Sequence, residues 1–197
     1  MPALVSELIV SLDNCARGTQ SPAYYGYSGP EFDDWLKTNN EKPHRSLMGR
    51  KTYELLSSLP AEARDEGWQK MARQPGFLFS RTLKRCDWPG LELIRDDMVG
   101  FVRKLKQDSG TELRVLGSLS IMRQLVEAGL LDVLRLMVCP VVLPKTGVER
   151  IFDGFEDTAF TLSSHRMLDG RVSLLDYRPS GSPPTGGSTK AGGSPKT

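Results

Sequence analysis

Two glycine-led turns of the same build constrain this chain more than any other feature. The first lies in Leu47-Met48-Gly49-Arg50-Lys51-Thr52-Tyr53 and the second in Arg114-Val115-Leu116-Gly117-Ser118-Leu119-Ser120. Each follows a short apolar run that reads as a strand, and each opens a segment with helical apolar spacing. Where a strand turns through glycine into a helix, unpaired amides and the positive end of the helix dipole converge, and that combination holds anions. Two such turns in one sheet protein suit a ligand with two phosphate-bearing ends, such as a dinucleotide.

The remaining pattern supplies the frame. Residues 4–12 read as a strand, and Ser28-Gly29-Pro30-Glu31 has the form of a capping box with proline inside a helix start. That helix runs through Trp35 and Leu36. A strand at 45–48 leads into a helix at 51–59, ended by Pro60. Short strands are expected at 77–79 and 91–94. Met98, Phe101, Val102 and Leu105 then recur with the spacing of an amphipathic helix. A strand at 113–116 precedes a helix that buries Ile121, Met122, Leu125 and Val126. Residues 134–143 read as one long apolar strand, bulged or bent at Pro140. Strands at 160–167 and 171–177 meet in a hairpin at Leu168-Asp169-Gly170. Strand–helix alternation closed by a hairpin predicts an α/β protein, a mixed and mostly parallel sheet with helices on both faces. Such sheets take ligands at the carboxyl ends of their strands, where both glycine turns fall.

The chain has 197 residues, enough for one domain with a real core. Its net charge is +2, and Lys190 and Lys196 both lie in the terminal segment, so the body has no basic excess for nucleic acid. No basic leader and no run of transmembrane length is legible, so no membrane partner is expected. Three widely spaced cysteines, Cys15, Cys86 and Cys139, form neither a metal pair nor a disulfide framework and fit a reducing cytoplasm. Residues 1–178 form the expected domain. Residues 179–197 consist of Pro, Gly, Ser, Thr, Lys and small apolar residues, and are expected to be a flexible tail.

Chemistry concentrates in a few places. Gly49, Arg50, Lys51 and Thr52 offer backbone donors, a hydroxyl and two cations at one helix start, with Arg50 suited to bidentate phosphate contact. The second turn offers Leu116, Gly117, Ser118, Leu119 and Ser120, where a serine also serves as an ordinary helix cap. Ser80, Arg81 and Thr82 follow the 77–79 strand and suit a further phosphate, such as the 2′-phosphate that separates NADP from NAD. Asp13 ends the first strand, where its carboxylate can orient a heterocycle or brace the adjoining loop. Trp35 and Phe32 read as core residues, with Trp35 also able to stack on a ring. His44 and His165 are far apart, lie in no metal-spaced cluster and are expected at surface or edge positions. There is no Gly-x-Ser-x-Gly nucleophile elbow and no Walker loop.

From about Leu8 to Tyr177 the chain resembles the dihydrofolate reductase-like superfamily. Within it, the likeness is to the C-terminal reductase domain of the bifunctional riboflavin-biosynthesis deaminase–reductase. The likeness rests on Val10-Ser11-Leu12-Asp13, Met48-Gly49-Arg50-Lys51-Thr52-Tyr53-Glu54, Phe79-Ser80-Arg81-Thr82-Leu83 and Val115-Leu116-Gly117-Ser118. Leu125-Val126-Glu127-Ala128-Gly129-Leu130-Leu131-Asp132, which runs on toward Leu143, is its most telling stretch. The resemblance implies a three-layer α/β/α sandwich that binds NADPH. By it, Gly49 to Thr52 meet the cofactor phosphates, Arg50 helps hold the 2′-phosphate, and Ser80 to Thr82 lie by the adenosine. Gly117 to Ser120 hold the pyrophosphate, while Asp13 lines the substrate cleft near the nicotinamide. Three places depart from the family pattern. Ser118 stands where many relatives have a second glycine, Asn14 where they have glycine after the aspartate, and Pro144 where glycine follows the leucine. The implied activity is reduction of a small heterocyclic substrate, most like 5-amino-6-(5-phosphoribosylamino)uracil. Alternatives are a dihydrofolate or pteridine reductase, or a cofactor-binding protein without turnover. Relatives commonly pair, so a homodimer is also expected.

Overall fold

The computed structural model describes residues 1–108 and 110–182. Its first half contains β1 (Leu4–Ser11), β2 (Cys15–Gly18), α1 (Pro30–Glu41), β3 (His44–Gly49), α2 (Arg50–Ser57), α3 (Glu66–Arg73) and β4 (Gly76–Phe79). Then follow β5 (Leu91–Ile94), α4 (Met98–Asp108), β6 (Glu112–Leu116), α5 (Leu119–Glu127), β7 (Val133–Cys139), β8 (Gly147–Arg150), β9 (Ala159–Leu168) and β10 (Val172–Gly181). The main sheet has the order β5-β4-β3-β6-β1-β7-β10-β9, and β2 pairs with β8 in a separate ribbon. The six strands from β5 to β7 in that order run parallel, and β10 and β9 close one edge as an antiparallel hairpin.

Both faces of the central strands are covered and largely apolar, with a polar set of Glu7, Arg114 and Arg135 on the side under α1. Leu4, Leu8 and Val10 of β1 join Leu47, Leu113 and Val115 on the face under α4 and α5, where Val102, Ile121, Met122 and Leu125 are buried. On the other face Met137 and Cys139 pack with Phe32 of α1, and Met48 and Leu78 pack with Tyr53 of α2 and Ala72 of α3. The result is the expected three-layer α/β/α sandwich with a terminal hairpin.

Tertiary contacts revise several local expectations. The strand foreseen at 134–143 stops at Cys139, because Pro140 has no amide for the ladder; the chain resumes pairing when the Leu12 amide donates to Val141 O at 2.8 Å. The capping box at Ser28 does not form. Gly29 holds the cap position of α1, and the cap itself is Asp169, whose carboxylate accepts from the Glu31 and Phe32 amides at 3.1 and 3.0 Å. Glu31 returns a bond from the Asp169 amide at 2.6 Å, so the reciprocal box is built across the chain. Asp169 and Gly170 have φ of 49° and 63°, the left-handed pair of a tight hairpin turn. A Cβ at Gly29 would lie 2.3 Å from Asp169 Oδ2, which explains the glycine. Pro179 to Gly181, expected in the tail, belong to β10. They pair only with β9, since pairing with β7 ends at Tyr177, and this leaves room for a proline. Ser182 follows as an exposed bend, and residues 183–197 of the expected tail lie outside the described residues.

His44 is another correction: it is buried at the start of β3, its Nδ1 2.8 Å from Lys42 O. Burial pushes its pKa below the usual 6.5. The unfolded chain therefore takes up a proton before the folded protein does. Stability linked to His44 is present above about pH 6.5 and declines as the pH falls through the range below it. His44→Gln is expected to flatten this part of the profile, as read from urea midpoints between roughly pH 7.5 and 5. His165, by contrast, is exposed on the edge strand β9 as anticipated.

Candidate functional site

Because β3 and β6 are neighbours, the two glycine turns at their carboxyl ends meet. Their junction is the Ser118 hydroxyl, which is 5% exposed with the rest of its residue. It accepts the Gly49 amide at 2.7 Å, lies 3.0 Å from Thr52 Oγ1 and donates to Leu116 O at 3.0 Å. Gly117 has φ of +55°, the left-handed conformation that favours glycine at this turn. Leu119 is half-buried against the core, whereas Gly117 and Ser120 are exposed. The first-turn amides of α5 have no intrahelical acceptor, and those of α2 open on the same sheet edge.

β4 is the next strand beyond β3. Ser80 turns the chain there: its amide donates to Ile94 O, and its hydroxyl accepts from the Thr82 and Leu83 amides at 3.3 and 3.0 Å. Arg81 and Thr82 are exposed. Between this turn and α2 lies a cleft of about 370 Å³ whose lining includes Arg50, Tyr53, Glu54, Thr82, Lys84 and Arg85. Arg50 is half-exposed and pairs with Glu54 one helical turn on, at 3.1 Å. Lys51, on the same helix start, is exposed. Lys84 and Arg85 escaped the sequence reading; their signal was two adjacent cations just beyond Ser80-Arg81-Thr82. Arg85 pairs with Asp87 of the same cleft at 3.0 Å through exposed side chains, and the two helix starts beside these exchangeable cations fit a ligand with a pyrophosphate and a further phosphate.

On the other side of the meeting point, β1 ends in a tied loop. Asp13 accepts from the Ser11 hydroxyl at 2.6 Å and from the Leu143 amide at 3.1 and 3.2 Å. These bonds, the Ser11 hydroxyl foremost, hold its carboxyl below the usual carboxylate range. Asp13 thus braces the β7–β8 connection through the Leu143 amide. Asn14 has φ of 61°, a left-handed conformation that asparagine tolerates in place of the glycine the resemblance leads one to expect. At Gly147 a Cβ would lie 2.4 Å from Cys15 Sγ, so the close approach after Pro144 is met by a later glycine. Leu12 and Val142, just beyond β1 and β7, are 57% and 59% exposed. The Tyr25 hydroxyl donates to Cys15 O and the Tyr27 hydroxyl to Pro140 O. Burial pushes the Tyr25 pKa up to about 12, so it stays a neutral donor.

Trp35 packs into the cluster around Phe32 and Met137, and the Arg135 guanidinium lies over its ring at 5.6 Å. Its partners are those of a core residue. Asp33 and Asp34 on the same helix are exposed. Among the described residues there is no cluster of metal-ligating side chains, and no helix is long and apolar enough to cross a membrane.

The mostly parallel α/β/α sandwich closed by an antiparallel hairpin is the arrangement that the dihydrofolate reductase-like resemblance implies. The family described as the RibD C-terminal domain matches residues 2–174, and the chain belongs to it. It is 27% identical over 147 residues to the uncharacterized protein YyaP of Bacillus subtilis, an alignment covering 71% of this chain and 76% of that protein. Among solved structures, it is similar to a pyrimidine reductase-like protein of Corynebacterium diphtheriae, with a TM-score of 0.63 at 16% identity over 91% and 92% of the two chains. It is also similar to the Thermotoga maritima diaminohydroxyphosphoribosylaminopyrimidine deaminase/5-amino-6-(5-phosphoribosylamino)uracil reductase. There the TM-score is 0.62 at 14% identity, and the match spans 91% of this chain but 57% of that one.

Proposed function

We propose that this protein is an NADPH-dependent reductase of a small heterocyclic acceptor. One observation carries the reading: two glycine turns bonded to each other through Ser118, beside a cleft that presents Arg50, Lys84 and Arg85. In this reading the α5 start, with Gly117, Leu119 and Ser120, holds the pyrophosphate by its amides. Arg50 and Lys51 add charge from α2, and Arg81 with Thr82 stands by the adenosine. A bound dihydronicotinamide would supply the hydride, delivered to an electrophilic carbon such as an imine or a ring-opened sugar aldehyde. The protein's share is orientation. Asp13 sets the rim of the acceptor cleft through the 143–147 loop, while Leu12 and Val142 offer apolar contact to a ring. Family membership makes 5-amino-6-(5-phosphoribosylamino)uracil the first acceptor to try, with dihydropteridines next. The reading carries with it a cytoplasmic small-molecule enzyme with no nucleic-acid or membrane partner, and a homodimer as its assembly.

The test is a fluorescence titration with NADPH, followed by an acceptor panel read at the nicotinamide absorbance. Saturable binding with turnover on a uracil or pteridine acceptor is the expected result; absence of nucleotide binding overturns the reading. A second reading, a nucleotide-binding protein without turnover, draws on Asp13, whose carboxylate oxygens are engaged within the protein. Binding with no turnover across the panel would favour it.

A further inference from the structure

Ser118 stands between the two turns in a way that sets which groups remain for a ligand. A serine hydroxyl has one hydrogen and two lone pairs. Here the hydrogen goes to Leu116 O, one lone pair takes the Gly49 amide, and the other takes the Thr52 hydroxyl. The hydroxyl is saturated, and it also uses the donor hydrogens of Gly49 and Thr52. A Cβ at Gly49 would lie 3.2 Å from Ser118 Oγ, so the brace and the first glycine are fitted to each other. Three groups that look like phosphate ligands in sequence are therefore bonded among themselves, around the buried Ser118.

We infer that Ser118 is a positioning residue: its hydroxyl locks the two turns at a fixed separation and leaves phosphate contact to the α5 amides and the exposed cations. The inference rests on the pyridine-nucleotide reading above for its functional consequence, but the brace itself does not. Serine supplies an acceptor for Gly49 that a glycine could not, so this chain holds its turns by a side chain.

A double-mutant cycle on NADPH dissociation constants separates a brace from independent ligands. Ser118→Ala and Thr52→Val are each expected to weaken NADPH, Ser118→Ala by roughly tenfold, the size set by leaving buried donors unpaired. The double variant is expected to be no weaker than Ser118→Ala alone, because both changes break one unit. Losses that multiply in the double variant would mean that each hydroxyl meets the nucleotide separately, and would overturn the inference. Unchanged affinity in both single variants would overturn it as well. Amide hydrogen exchange at Gly49 gives an arm that needs no nucleotide. Exchange is expected to be slow in the wild type and in Thr52→Val, and faster by at least roughly tenfold in Ser118→Ala. Equal exchange in wild type and Ser118→Ala would sink the brace even if the variants fold well. If the wild type binds no nucleotide, the cofactor reading fails, and the exchange measurement decides the brace by itself.

Discussion

Arg135→Met is expected to destabilise the protein by about 3–5 kcal/mol, the cost of stranding buried charges. Arg135 sits on β7 beneath α1, where its Nε and Nη2 donate to the two carboxylate oxygens of Asp176 at 2.7 and 2.9 Å. Its Nη1 reaches Glu7 Oε2 and Asn39 Oδ1, both at 3.2 Å. The side chains of Arg135, Glu7 and Asp176 are 18%, 11% and 20% exposed, so water replaces little of what the guanidinium provides. The bonds to Asp176, with Glu7 close by, keep the arginine charged throughout the accessible pH range. Methionine fills similar volume and keeps apolar contact with Trp35, so the loss reports Asp176 left without its bidentate partner and Glu7 left with Asn39 Nδ2 but no cation. Thermal unfolding should move down by roughly 6–20 °C. Adding Glu7→Gln and Asp176→Asn to the Met variant should recover part of the loss, since the carboxylates would no longer be charged. A shift of only a degree or two in Arg135→Met would mean that α1 relaxes enough to admit water.

Arg50→Ala is expected to weaken NADPH by about 1.5–3 kcal/mol, the worth of a charge-assisted bond, which is roughly 10- to 150-fold in dissociation constant. Binding of NADH should change far less, because it lacks the 2′-phosphate. The position supports this direction. Arg50 lines the cleft and, among the described residues, its charge is met by a half-exposed pair with Glu54, which costs little to exchange for a phosphate. Thr82, Lys84 and Arg85 share that cleft, so some selectivity should survive. Equal weakening of both nucleotides would show that Arg50 serves the pyrophosphate instead.

Much of the fold was legible because its signals are local. The spacing of Met98, Phe101, Val102 and Leu105 marked α4, and Ile121, Met122, Leu125 and Val126 marked the buried face of α5. Asp169-Gly170 marked the hairpin through its turn chemistry. Elements with weaker local signals were missed. The ribbon strands β2 and β8 are four residues each and exist because they pair with one another. The helix α3 is short, with Trp68 and Met71 reaching the cluster around Tyr53 and Trp88. His44 looked like an edge residue because nothing nearby in sequence announces that Arg114 and Asn39 lie in the same covered layer.

The candidate site divides along the same line. Sequence alone determined the two glycine turns, the strand and helix on either side of each, and which nearby residues carry groups able to bind a phosphate. Those are properties of short segments, fixed by backbone freedom, helix ends and charge. Tertiary structure decided which of these residues are free to act. It set Gly49 and Thr52 on the Ser118 hydroxyl, turned Asp13 into a brace for Leu143, put Trp35 under Arg135 and drew Lys84 and Arg85 beside Arg50. A hydrogen bond uses up a donor, and the partner that uses it can come from anywhere in the chain. For that reason the sequence could name the candidates, and only the folded arrangement could say which still had a bond to offer.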